Sequence, residues 1–159
     1  MLSRDVAIPA RRGMLSRRDT MEKDPSELPG MRRNPWKLSK PGGNTHFTAF
    51  RDTTLRPPSL VVRDGEKELH YHLRCLDDLY EMLKESGGWV PLGSAGEYEK
   101  PAAGTVEAWA RSAENSIGGW YGLKKGLRGG FATFIPPIMV TLNLAEVEGT
   151  PSDGRMRAI

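Results

Sequence analysis

The chain has 159 residues, 38% of them hydrophobic, with 23 Lys and Arg against 20 Asp and Glu. That length suits one compact domain with a tail, or two small lobes on a shared core. No apolar run reaches the roughly 18 residues of a membrane-crossing helix, and the single cysteine, Cys75, excludes an intramolecular disulfide and a cysteine zinc site.

Residues 1–33 mix Arg, acids, Pro and Ser, repeat the tetrapeptide MLSR, and lack any sustained apolar period. Such composition buries too little surface to repay chain entropy and predicts a disordered basic extension.

Residues 34–101 predict a small β-sheet lobe with a packing helix. NTHFTAFRD has the Thr and Phe content of a strand. SLVVRDGEKELHYHLR predicts a hairpin with Asp64-Gly65 as its two-residue turn, pairing Val62 with Lys67 and Leu60 with Leu69. Leu60, Val62, Leu69, Tyr71 and Leu73 then share one face. His70 and His72 fall on the other, where His46 from a neighbouring strand would make them weak metal candidates. Alternation alone puts histidines on a solvent face, so no metal or other cofactor is expected.

CLDDLYEMLKESGG predicts an amphipathic helix with Leu76, Leu79, Tyr80, Met82 and Leu83 on one stripe and a glycine cap. Cys75 at its start is in a position that lowers a thiol pKa. With no base beside it in sequence, a buried or capping role is expected. WVPLG predicts a short strand and SAGEYEKPAAG an exposed loop.

Residues 102–159 predict a second, mostly helical lobe. TVEAWARSAEN predicts a helix capped by Thr105, with Val106, Trp109, Ala110 and Ala113 apolar. In NSIGGWYGLKKGLRGGFATFIPP, glycine recurs at Gly118, Gly122, Gly126 and Gly130. Each would cost about 1 kcal/mol inside a helix, so a short helix near 120–128 with glycine-rich ends is expected. Lys124, Lys125 and Arg128 would share its exposed side and suit phosphate or carboxylate. Gly122 and Gly126 would allow close backbone approach, and Trp120 and Tyr121 would stack or pack. There is no P-loop and no dinucleotide fingerprint. Pro136-Pro137 is expected to end this helix and start another, IMVTLNL. AEVEG and GRMRAI then form a closing hairpin carrying Arg155 and Arg157. The whole predicts an α+β fold: an N-terminal antiparallel sheet with a packing helix, and a C-terminal helical region ending in a β-hairpin, like a winged helix.

The segments NPWKLSKPGG, YHLRCLDDLYEML, GTVEAWARSAENSIGGWYGLKKGLRGGFATFIPP and LAEVEG…RMRAI resemble an uncharacterised family of small actinobacterial proteins, over about residues 34–159. The resemblance implies a bacterial, cytoplasmic protein and carries no catalytic residues.

Two binding roles follow. In the first, Lys124, Lys125, Arg128, Arg155 and Arg157 hold the phosphates of DNA or RNA, a role towards which the charge of +3 and pI near 9.1 lean mildly. In the second the protein is an interaction or assembly module using Trp36, Trp89, Trp120 and Tyr121 as anchors. No acid–base or nucleophile constellation can be assembled, so an enzyme is the less expected class.

Overall fold

The structure is a computed structural model that describes residues 24–159. Most of the expected extension, residues 1–23, lies outside them. Over 24–33 the chain departs from the disorder expected of it. Pro25–Glu27 form a 3-10 turn capped by Asp24, and Arg32 pairs with Asp52 at 2.6 Å.

Strands β1 (Trp36–Ser39), β2 (His46–Asp52), β3 (Ser59–Asp64) and β4 (Lys67–His72) form an antiparallel sheet in chain order. The β3–β4 register differs from the expected one. Gly65, with φ 61°, takes the first central turn position, so the turn is Gly65-Glu66. Leu60 therefore faces Tyr71 and Val62 faces Leu69. Glycine leading the turn fits type II′ geometry, in which only the first central residue needs positive φ. A shift of two residues leaves every side chain on its expected face: Leu60, Val62, Leu69 and Tyr71 are all buried in the core.

Helix α1 (Cys75–Ser86) packs Cys75, Leu76, Leu79 and Leu83 inward and stops at Gly87, whose left-handed backbone donates its N–H to the Leu83 carbonyl. Burial pushes the Cys75 thiol well up. Desolvation therefore outweighs the helix-start effect expected to lower it. Strand β5 (Val90–Pro91) follows, then a single helical turn, α2 (Val106–Trp109). Thr105 caps α2 as expected, accepting from the Ala108 amide at 3.1 Å. The turn ends early because Asn115 organises the chain beyond it. Its amide donates to the Trp109 and Gly119 carbonyls, and its oxygen accepts from Ile117, Gly118 and Gly119.

The helix expected near 120–128 is absent, and that stretch is loop. One helix, α3 (Phe131–Thr141), instead runs through both Pro136 and Pro137. Each interior proline costs about 3 kcal/mol or more. Burial offsets this: Phe131, Phe134, Ile135, Ile138 and Met139 are all buried, and each such side chain contributes about 1.5–3 kcal/mol. The expected closing hairpin is present as β6 (Ala145–Glu148) and β7 (Arg155–Ala158), and β7 also pairs with β5. One buried cluster extends from Trp36 to Met156. No helix among the described residues is long and apolar enough to cross a membrane.

Candidate interaction site

The glycine block is fastened to the edge of β4. The His72 amide donates to the Tyr121 carbonyl at 2.9 Å and the Leu123 amide to the His70 carbonyl at 2.8 Å, with Gly122 bridging Tyr71. Residues 121–123 thus continue the four-stranded sheet. Tyr121 is fully buried, stacks on Trp109 at 5.0 Å between ring centroids, and donates its hydroxyl to Asp78 at 2.7 Å. A Cβ at Gly122 would collide with the backbone of Arg128. This glycine permits one part of the loop to cross another.

The next residues form an anion-binding concavity, and the chain's own Glu97 fills it. The Gly126 amide donates to Glu97 at 3.0 Å and the Arg128 amide at 2.8 Å, while the Arg128 Nη2 donates at 3.1 Å. The left-handed backbone at Gly126, φ 90°, helps turn those amides toward one carboxylate. The Arg128 side-chain bond, then the amides, lower the Glu97 carboxyl from its ordinary 4.5 to about 2. Arg111 fixes the same loop from below, donating to the carbonyls of Ala95, Gly96, Glu97 and Glu99 and to the buried Glu107 carboxylate at 2.7 Å. Glu107 in turn accepts from the Phe131 and Ala132 amides at the start of α3. Burial pushes its carboxyl up, against the Ala132 amide and Arg111. The guanidinium carbons of Arg111 and Arg128 lie 4.3 and 4.4 Å from the centre of the Trp120 ring. Lys124 and Lys125 are exposed and form no ion pair among the described residues.

Arg155 and Arg157 belong to a different cluster. They pair across the hairpin with Glu148 and Glu146 at 2.7 and 2.8 Å, and both guanidinium groups lie over Trp89. Residues 24–159 hold 17 Lys and Arg against 17 Asp and Glu, so the net charge of the chain is carried by residues 1–23.

The three histidines share the outer sheet face but are held apart. His46 hydrogen-bonds the Ser39 hydroxyl at 3.0 Å, His70 bonds Glu68 at 2.9 Å, and His72 packs against the Tyr121 ring. Among the described residues no group of three or more His, Cys, Asp or Glu is placed to hold a metal ion.

A groove that has no signature in the sequence lies between the two sheets. It has a volume of about 470 Å3 and is lined by Lys37–Gly42 of β1 and its turn, by Pro137, Val140 and Thr141 of α3, and by Val147–Gly149 of β6. Among the described residues both β1 and β6 are edge strands. Helix α3 packs against both and leaves Val140 42% exposed.

The chain belongs to a family of unknown function, DUF6855, whose family model matches residues 29–159. No curated protein and no solved structure matches it.

Proposed function

We propose that the protein is an interaction module that binds another protein, and that the partner docks in the groove between β1 and β6. The observation that carries this reading is the pair of strand edges, unpartnered among the described residues, that border a groove with an exposed valine. Bare edges of this kind are a recurrent means of recognising polypeptide. A cytoplasmic setting agrees with the lone reduced, buried Cys75.

Nucleic-acid binding is the second reading, favoured by Lys124 and Lys125, which are exposed and form no ion pair among the described residues. Three of the five cations expected to hold phosphate, Arg128, Arg155 and Arg157, already pair with Glu97, Glu148 and Glu146. Tyr121, expected to stack or pack, is buried. The basic helix expected near 120–128 is a loop.

The reading is tested by capture from lysate of the native host, with nuclease added, on wild-type protein and on Val140→Glu. A partner that survives nuclease and is lost with Val140→Glu supports it. Capture that disappears with nuclease, or that ignores Val140→Glu, contradicts it.

A further inference from the structure

We propose that the partner enters this groove as an extended strand, pairing its backbone with β1 on one side and β6 on the other. The inference rests on the interaction-module reading and names the chemistry of its ligand.

The backbone directions follow from the ladder register. Lys40 donates its amide to Thr45 at 3.0 Å, one step beyond the Ser39–His46 pair. Hydrogen-bonded and non-bonded pairs alternate along an antiparallel ladder. Leu38 and Trp36 therefore bond to β2, and the N–H and C=O groups of Lys37 and Ser39 point away from it. On the other sheet, Ile159 donates to the Leu144 carbonyl at 3.1 Å, one step beyond Ala145–Ala158. By the same alternation Glu146 and Glu148 bond to β7, while Ala145 and Val147 turn their amides and carbonyls outward. Lys37, Ser39 and Val147 all line the groove.

Short edge strands with lysine and flanking proline are also a common device against unwanted pairing, and Pro35, Lys37 and Pro41 fit that description. Two observations go further. The two edges border one shared groove, and its lining includes the exposed Val140. A row of alternating donors and acceptors on each side is satisfied by a polypeptide strand, which carries the same alternation at the same repeat of about 6.6 Å per two residues. One end is closed where Gly42 approaches Gly149. A Cβ on Gly42 would lie 2.7 Å from the Gly149 carbonyl oxygen.

The ligand's sequence class follows. Beta-1 and β6 each span four residues, so the inserted segment is of similar length. Side chains directed to α3 meet Pro137 and Val140 and are apolar and preferably β-branched. Alternate ones lie near Lys37 and are polar or acidic. Proline is absent where the strand must donate.

The test pans a library of random peptides about seven residues long against the full chain, then measures amide hydrogen exchange with a selected peptide. Alternating apolar and polar sequences should be enriched. The Lys37, Ser39 and Val147 amides should exchange at least about tenfold more slowly in the complex, as newly made hydrogen bonds require. Val140→Glu should weaken binding about tenfold or more, a loss of about 1.4 kcal/mol. Ser39→Pro removes one outward N–H while sparing the β2 ladder and should weaken it likewise. A peptide that binds, is lost with Val140→Glu and leaves those amides unprotected overturns strand insertion while sparing the interaction reading. No enriched peptide and no captured protein would end both. Self-association that protects the same amides without peptide would also overturn the proposal, in favour of a second copy.

Discussion

The carboxylate of Glu97 accepts from the backbone amide of Arg128 at 2.8 Å and lies 3.0 Å from the Nε of its guanidinium. One residue therefore closes the glycine loop by both its main chain and its side chain. The Gly126 and Arg128 amides and the Arg128 guanidinium are thus engaged by the protein's own carboxylate.

This contact should be visible in acid. Glu97 titrates at 4.5 when unfolded and at about 2 when folded. A lowered folded pKa contributes stability that is complete above 4.5 and lost as pH falls toward 2. Asp52, lowered from 3.8 to about 2 chiefly by the Thr54 hydroxyl, adds to the same limb. Glu97→Gln should be less stable than wild type at neutral pH. Its stability should fall less between pH 4.5 and 2, with the two curves converging below that. Urea unfolding across this range checks it; parallel curves would remove Glu97 from the account.

Two glycines of the block should respond unequally. At Gly122 any side chain meets the Arg128 backbone, so Gly122→Val should cost about 2 kcal/mol or more. Gly126 has open space around it but a φ of 90°, and Gly126→Ala should cost about 1–2 kcal/mol, from strain alone. Equal losses in denaturant titrations would contradict these roles.

Much of the fold could be read from local pattern. Alpha-1, the β3–β4 hairpin and the closing hairpin each carry their own period and turn residues. Two misreadings share a cause. The path of 115–130 is set by Glu97, His70 and Tyr71, partners far away in sequence; Glu97 and Arg128 are 31 residues apart. A short helix with glycine-rich ends is expected near 120–128, whereas Gly122 serves chain crossing and Gly126 a left-handed turn. Pro136-Pro137 suggested a break because the burial on both sides of it is a tertiary property. The groove had no sequence signal at all, since unpaired edges depend on which strands fail to meet.

The buried hydroxyl of Tyr71 offers an independent check on how the block is held. It donates to the Gly129 carbonyl at 2.7 Å, joining β4 to the loop before α3. Tyr71→Phe keeps the ring and leaves that carbonyl without its donor, at a cost of about 1–3 kcal/mol. Thermal or urea unfolding should show this loss, and an unchanged midpoint would mean that the carbonyl finds another donor.

The central claim is that the guanidinium groups expected to hold phosphate are committed to the domain's own carboxylates. It is tested most directly by the salt dependence of duplex DNA binding to residues 24–159. Each phosphate contact adds roughly 0.9 to the slope of log affinity against log salt. With only Lys124 and Lys125 free among the five cations, the account predicts weak binding, a slope of no more than about 2, and its loss in Lys124→Glu/Lys125→Glu. A slope of about 4 or more, persisting in that double variant, would mean that Arg128, Arg155 and Arg157 leave Glu97, Glu148 and Glu146 for phosphate, and would contradict it.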